Sequence, residues 1–189
     1  DPLLKQPQTI LREMNGIYRS VFINYEQAMT DLTIGEYGDI LVLCTSRDES
    51  AIQPYIDWKM EKGFNVEKIV VATGTNVKTT IQSAYSANNN LLYVQLVGDW
   101  ADIKSDMLGS APMDPQLGCV VGSDQHPDIC IGRFSANSAA HVTIQVDKVI
   151  NYEKNPDLGA SWYTAALGVA SNQGPGDDGE LDYTHINVI

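Results

Sequence analysis

The chain has 189 residues, of which 43% are hydrophobic, and a formal net charge of −12 at pH 7. This length is enough to bury the core of one α/β domain, and the composition is that of a globular protein rather than a disordered one. The negative charge argues against a surface that binds nucleic acid or an anionic membrane, and it favours cations and basic peptides as partners. No apolar run in the sequence approaches the length needed to cross a bilayer.

The first 38 residues differ in pattern from the rest of the chain. Residues 1–38 mix apolar and polar positions, and we interpret them as a lead-in segment outside the core sheet. Residues 40–44 then form a continuous apolar run, which is typical of a strand covered on both faces. Residues 50–62 have helical spacing, with Ser50 as a candidate cap at the start and Gly63 as the end.

The same alternation continues along the chain. Strands are predicted at 66–72 and 91–97, with a helix at 76–86 between them. Strands that alternate with helices indicate an α/β fold with a mostly parallel sheet and right-handed crossovers. A further helix is predicted at 136–154 and a further strand at 164–170.

Two short apolar runs, 119–121 and 129–131, bracket a turn and predict a hairpin or a bulged connection. Cys44, Cys119 and Cys130 all lie in apolar strand patterns, so we interpret them as small apolar residues rather than nucleophiles. The sequence contains no Gly-x-Ser-x-Gly motif, phosphate-binding loop or dinucleotide fingerprint. The residues alone therefore do not supply a complete active site.

One set of acidic residues could bind a hard cation. Asp99 follows the third predicted strand, and Asp124 and Asp128 lie in the turn between the two short runs, with the carbonyls of Val121 and His126 nearby. Calcium takes six to eight oxygen ligands of this kind. The spacing is not that of an EF-hand loop, and an ordinary aspartate-rich turn with a solvent-facing Asp99 remains the alternative.

A second acidic set lies near the end of the chain, in residues 176–185. Glu180 and His185 could coordinate a cation together with groups from elsewhere. Asp182 could accept an arginine side chain through two hydrogen bonds. The alternative is that this loop is solvated surface and that His185 only caps or packs.

Several segments together resemble the gingipain family of cysteine peptidases, particularly its Arg-specific branch. They follow the order of the family and cover residues 39–189. The matching segments are Tyr55-Ile56-Asp57-Trp58-Lys59 through Lys62-Gly63, Leu96-Val97-Gly98-Asp99, Val121-Gly122-Ser123-Asp124, Ile131-Gly132-Arg133-Phe134-Ser135, Asp147 through Tyr152-Glu153, and Gly179-Glu180-Leu181-Asp182 with His185-Ile186-Asn187-Val188-Ile189.

The resemblance implies a caspase-like three-layer α/β sandwich, of which residues 39–189 are the N-terminal subdomain. Residues 1–38 would then be the tail of a pro-segment, or a linker. In the family the catalytic Cys and His lie C-terminal to the last matching segment, so the resemblance assigns no catalytic residue to this chain.

The resemblance also implies the roles of the acidic residues. Asp182 aligns with the floor of a pocket that recognises arginine. Two Ca2+ sites carry over, and Asp128 replaces a longer Glu in the first of them. The first site would use Asp99, Asp124, Asp128 and the carbonyls of Val121 and His126, and the second Glu180 and His185.

The expected function is that of a secreted, calcium-stabilised cysteine endopeptidase. It would cleave protein and peptide substrates after Arg and would be completed by the C-terminal part of the same peptidase. The alternative is a non-catalytic, calcium-dependent binding or adhesion module, or a degenerate peptidase homologue.

Overall fold

The computed structural model describes residues 9–23, 25, 33–34, 37–171 and 181–186. The chain divides into two compact units, Asp1–Glu153 and Lys154–Ile189. The predicted division into a lead-in of residues 1–38 and a subdomain of residues 39–189 stays a prediction. In the described part of the chain, no helix is both long and apolar enough to span a bilayer.

Two short strands and a helix lie in the described part of the lead-in. Strands β1 (Thr9–Ile10) and β2 (Thr33–Ile34) pair in parallel, and helix α1 (Arg12–Val21) lies between them in sequence. The carboxylate of Glu13 on α1 accepts the backbone N–H of Gly38, with N–O distances of 3.2 and 3.3 Å. This contact brings α1 to the residue that precedes the central sheet.

The rest of the first unit alternates strands and helices, as the sequence predicts. The elements are β3 (Asp39–Thr45), α2 (Glu49–Glu61), β4 (Val66–Val71), β5 (Thr75–Asn76), α3 (Lys78–Ala87), β6 (Leu91–Val97), β7 (Ile103–Lys104), β8 (Met107–Leu108), β9 (Ala111–Pro112), a 3-10 helix (Asp114–Gly118), β10 (Cys130–Phe134) and α4 (Ala139–Lys154).

The central sheet has four parallel strands in the order β10-β6-β3-β4. The carboxyl end of β3 is level with the ends of both neighbours, since Cys44 lies opposite Val70 on β4 and Val97 on β6. The chain adds β4 on one side of β3 and then returns to add β6 on the other side. The order in which strands are added therefore reverses between β3 and β6, although all four strands run in the same direction.

Strand β3 is buried on both faces. Ile40, Val42 and Cys44 pack with α2 and α4, in a cluster that includes Ile52 and Val146. Leu41 and Leu43 point to the opposite face and pack with α3 and the 3-10 helix, in a cluster that includes Ile81 and Leu117. The run at 40–44 is therefore apolar throughout because both faces of the strand are covered, as predicted. The three-layer α/β fold is confirmed.

The start of α2 differs from the prediction. The residue before the first helical turn is Asp48, and Ser50 lies inside the helix, so Ser50 is not the cap. The predicted end is correct, because Gly63 has a positive φ of 96° directly after the helix.

The predicted hairpin between 119 and 131 is wrong. Cys119 follows the 3-10 helix Asp114–Gly118, and residues 119–121 form no strand. Strand β10 pairs in parallel with β6, with Cys130 opposite Tyr93. Short apolar runs do not reveal whether the partner strand is the neighbour in sequence or a distant one.

The predicted strand at 164–170 is also wrong. A 3-10 helix covers Ser161–Thr164, and residues 165–171 have no regular structure. Leu167 is 89% exposed and Val169 is 82% exposed. The apolar pattern there is real, but it does not form a strand. Gly168 lies against the side chain of Ile186, in helix α5 (Asp182–Ile186) of the same unit.

Candidate functional site at the carboxyl ends of the strands

The carboxyl ends of β3 and β6 form the edge of the sheet at which a ligand site is expected. In open parallel sheets, ligands bind outside the strand ends at the point where the strand order reverses. Arg47 and Asp48 follow β3, and Asp99 and Asp102 follow β6. Polar residues of two different strands therefore meet at this edge.

Arg47 joins the ends of three strands. Its Nε and Nη2 donate to the carboxylate of Asp48 at 3.0 and 2.8 Å, and its Nη1 and Nη2 donate to the carboxylate of Asp102 at 3.2 and 2.8 Å. Nη2 also lies 3.1 Å from the carbonyl oxygen of Ala136, beyond the end of β10. The hydrogen bonds to Asp48 raise the pKa of Arg47 above its usual value, so the guanidinium stays charged.

Arg133, on β10, binds the residues that follow β6. Its Nη1 and Nη2 donate to the carbonyl oxygens of Gly98 and Ile103 at 2.9 and 3.0 Å. Its Nε and Nη2 hold the carboxylate of Asp114 at 2.7 and 2.9 Å. These hydrogen bonds from Arg133 lower the pKa of Asp114 below its usual range.

Asp99 lies at the carboxyl end of β6, where the sequence places it. Its backbone N–H donates to the carbonyl of Ala136 at 3.0 Å, and its Oδ1 accepts the N–H of Trp100 at 2.7 Å and the hydroxyl of Ser135 at 3.4 Å. Gly98 precedes it with a φ of +127°, a conformation that side chains rarely allow. Asp99 is exposed, and its backbone is fixed on both sides.

The turn at 122–128 holds the other predicted ligands. Oδ2 of Asp128 accepts the N–H groups of Val120 and Val121, each at 2.8 Å. Oδ1 of Asp124 accepts the N–H of His126 at 2.9 Å. One oxygen of each carboxylate therefore accepts hydrogen bonds from backbone N–H groups nearby in the chain. Residues 122–128 are all exposed.

The donors of the first predicted calcium site fit a hard cation in kind, because they are carboxylate and carbonyl oxygens. They do not form a ready cluster: within residues 9–23, 25, 33–34, 37–171 and 181–186, no three His, Cys, Asp or Glu side chains converge as a metal site would require. The site made of Asp99, Asp124, Asp128 and the carbonyls of Val121 and His126 stays a prediction.

The second predicted set lies at the end of the chain. Glu180 is outside the described residues. Asp182 and His185 both belong to helix α5, three positions apart, which is about one turn of an α-helix. Their predicted roles in arginine recognition and cation binding stay predictions.

The cysteines do not have the surroundings of a nucleophile. Cys44 is fully buried in β3, and burial raises the pKa of its thiol to about 11. Cys130 is exposed on β10, and Cys119 is half-buried with its sulfur 3.9 Å from the carbonyl of Pro115. Nowhere in the described part of the chain does a hydrogen bond join a cysteine to a histidine.

Sequence reasoning missed the two arginines that organise this edge. Arg47 and Asp102 lie 55 positions apart, so no local motif connects them. Arg133 enters the sequence argument only as part of the Ile131–Ser135 segment. The available signal was positional, because charged residues that directly follow predicted parallel strands gather at one edge of the sheet.

Comparison with known proteins identifies the family of this chain. Residues 34–188 match the model of the family described as Peptidase family C25. The chain is 34% identical over 183 residues to Gingipain R2 of Porphyromonas gingivalis, an alignment that covers 92% of this chain and 25% of that protein. It is 27% identical over 165 residues to Lys-gingipain of the same organism, which covers 77% of this chain and 10% of the relative.

A solved structure agrees as well. The crystal structure of the Arg-specific cysteine proteinase gingipain R superposes with a TM-score of 0.70 and 32% sequence identity, covering 80% of this chain and 37% of the other. The chain thus spans about a quarter of the length of Gingipain R2. With a family match over nearly all of its residues from position 34 onward, the chain belongs to peptidase family C25.

Proposed function

We propose that this chain is the N-terminal part of a secreted cysteine endopeptidase that cleaves peptide bonds after Arg. The observation that carries the proposal is the 34% identity to Gingipain R2 over 92% of the chain, together with the fold shared with an Arg-specific cysteine proteinase. The identity to Lys-gingipain is lower, at 27%, which favours Arg over Lys as the residue before the cleaved bond.

The catalytic Cys and His of the proposed enzyme lie outside this chain. The buried Cys44, with its thiol pKa raised to about 11, would be a poor nucleophile, because the thiolate is the reactive form. In the complete protein, a Cys thiolate from the C-terminal part would attack the substrate carbonyl, with a His from the same part as its acid-base partner.

Substrate recognition is the part of the reaction that we assign to this chain. Asp182 would meet the guanidinium of the substrate arginine with its carboxylate, in the two-bond geometry that favours Arg over Lys. The net charge of −12 adds a field that attracts basic peptides. Both features would act on substrate binding and orientation rather than on the bond-breaking step.

Calcium belongs to the proposal as a stabilising ligand. Asp99, Asp124 and Asp128, with the carbonyls of Val121 and His126, would form one site, and Glu180 and His185 would contribute to another. The oxygen-rich donor set of the first site supports the choice of a hard cation. Bound calcium would tie the exposed turn at 122–128 to the edge of the sheet.

The test of substrate recognition is an Asp182→Asn variant of the full-length protein, assayed on matched peptide substrates with Arg or Lys before the cleaved bond. Loss of one partner of a desolvated ion pair costs about 3 kcal/mol, so kcat/KM for the Arg substrate should fall about 100-fold. Asp157→Asn, which removes an exposed carboxylate elsewhere, should leave it unchanged. An Asp182→Asn enzyme that keeps its preference for Arg would refute the assignment.

The second candidate function is a calcium-dependent binding or adhesion module without catalysis. The exposed, oxygen-rich turn at 122–128 is the observation behind it, whereas the absence of a Cys–His hydrogen bond in the described part of the chain fits both candidates. The coding sequence downstream of Ile189 separates the two candidates. A continuation that encodes a His and a Cys on successive strands supports the peptidase, and a stop codon supports the binding module.

A further inference from the structure

The loop that follows β6 is held by an unusual number of side-chain contacts. Residues 98–102 leave the strand through Gly98, turn, and return toward β7. Asp102 closes the turn, because its N–H donates to the carbonyl of Asp99 at 3.0 Å and its Oδ2 accepts the N–H of Asp99 at 3.3 Å. The turn is therefore built around the carboxylate of Asp102.

That carboxylate is in turn held by Arg47. Both of its oxygens receive a guanidinium N–H, at 3.2 and 2.8 Å. The side chain of Asp102 is only 13% exposed and that of Arg47 is 36% exposed, so the carboxylate is the shielded member of the pair. A carboxylate in such a place needs a charged partner, since an unpaired buried charge is very unfavourable.

The other edge of the guanidinium is fixed as well. Asp48 is fully buried and accepts hydrogen bonds from Nε and Nη2 of Arg47. A lysine could not reproduce this arrangement, because one ammonium group cannot span two carboxylates and the carbonyl of Ala136. Arg47 thus has a single position that satisfies the ends of β3, β6 and β10 together.

We propose that Arg47 is a positioning residue for the 98–102 loop, acting through Asp102 to fix the backbone on which Asp99 is presented at the ligand edge of the sheet. The functional importance of Asp99 rests on the calcium site of the proposed function. The geometry of the loop does not depend on calcium, because every contact that defines it lies within the protein. Arg47 would therefore hold Asp99 in place before any cation is bound.

Trp100 provides a local probe of this loop. Its N–H is adjacent to Asp99, its indole Nε1 lies 3.4 Å from the carbonyl of Ser105, and the ammonium of Lys104 lies 5.3 Å from its ring centroid. A change in the loop would alter all three surroundings. Fluorine NMR of the full-length protein containing 5-fluorotryptophan would report it, with the Trp100 resonance assigned by its loss in Trp100→Phe.

The decisive variant is Asp102→Ala, measured without calcium. It breaks the connection from Arg47 to the loop, together with the hydrogen bond from the Asp99 N–H to the Asp102 carboxylate, but leaves the Arg47–Asp48 pair in place. The Arg47 variants keep that loop hydrogen bond and therefore isolate the contribution of the guanidinium. The Trp100 resonance should shift or broaden in Asp102→Ala and in Arg47→Met, and it should shift less in Arg47→Lys. Lys68→Met, which breaks the distant Lys68–Glu49 ion pair, should leave the resonance where it is in the wild type.

An unchanged Trp100 resonance in Asp102→Ala would overturn the proposal. If Arg47→Met does not fold, Arg47→Lys decides, because it keeps a positive charge beside Asp48 and leaves the hydrogen bond from the Asp99 N–H to Asp102 in place. An unchanged Trp100 resonance in Arg47→Lys would then also overturn the proposal. A calcium titration followed by the same resonance tests the proposed function separately. Calcium affinity should weaken about 10- to 100-fold in Asp102→Ala. If the wild-type resonance does not respond to calcium, Asp99 is not a calcium ligand, and the positioning role of Arg47 still stands.

Discussion

The carboxylate of Glu153, near the end of α4, lies 2.6 Å from the ammonium of Lys59 on α2. The same carboxylate accepts the indole N–H of Trp58 and the ammonium of Lys62, each at 2.8 Å. One acidic side chain therefore joins two helices through three donors. This joint lies at the last residue of the first compact unit.

The joint should make stability depend on pH in the acid range. Partial burial raises the pKa of Glu153, but the hydrogen bonds from the two lysines and the indole outweigh it and lower the pKa from 4.5 to about 2. Since the folded pKa is depressed, the stabilisation is fully present above the unfolded value and is lost as the pH falls from about 4.5 to about 2.

Glu153→Gln should remove that part of the pH dependence. We expect it to cost about 1–2 kcal/mol near neutral pH, because the carboxylate is partly hydrated and its charged hydrogen bonds are correspondingly weakened. Urea unfolding between about pH 2 and pH 7 measures both effects. Glu67→Gln, which removes an exposed carboxylate on β4, is the control, and equal pH slopes for the two variants would contradict the prediction.

Gly98 should not tolerate a side chain. Its φ of +127° is strained for any other residue, and an added Cβ would lie 3.0 Å from the Cβ of Asp102. Gly98→Ala should cost about 2 kcal/mol or more. Gly16→Ala is the opposite case, because that glycine lies within α1 with open space around it, and it should stabilise by about 0.5–1 kcal/mol. Thermal unfolding of both variants would show effects of the same sign if this reasoning were mistaken.

The three cysteines should differ in reactivity and should all be dispensable for catalysis. Exposed Cys130 should react first with a thiol reagent, and Cys44 should react only after unfolding, because it is buried and burial raises the pKa of its thiol to about 11. Mass spectrometry of the labelled peptides measures the order. The full-length protein with all three replaced by Ala should retain peptidase activity, and loss of activity in a folded triple variant would mean that one of them is catalytic.

Calcium removal should distinguish acidic residues that close a turn through hydrogen bonds from those that stabilise the protein only by binding calcium. Asp128→Ala loses two 2.8 Å hydrogen bonds that close its turn, so it should destabilise by about 1–3 kcal/mol with calcium or with a chelator. Asp99→Asn should instead reduce only the extra stability that calcium provides. Thermal unfolding in both conditions is the measurement. A wild-type melting temperature that is the same with calcium and with chelator would count against the metal.

The central sheet could be predicted from sequence because its pattern is local. Strand β3 is buried on both faces and reads as a continuous apolar run, β6 reads as an apolar run interrupted by Gln95, and α2 and α4 have apolar residues at helical spacing. Val142 and Val146, which lie four positions apart on one face of α4, are both buried. These elements carry their burial pattern within their own residues.

The errors arose where a distant partner decides the structure. Cys130 pairs with β6 rather than with the run at 119–121, and that choice depends on Tyr93, in a strand far away along the chain. Asp48 precedes α2, but its side chain is committed to Arg47 rather than to the helix N–H groups. Sequence predicts the loop at 98–102 only as the place of Asp99, because the Arg47–Asp102 pair spans 55 positions.

The order of the sheet has a consequence for synthesis on the ribosome. Of the central sheet, the chain makes the inner strand β3 first and covers one of its edges with β4, but the other edge stays open until β6 emerges. During that interval a continuous apolar strand presents unpaired backbone groups to other nascent chains. This stage of folding is where chaperones would be needed most.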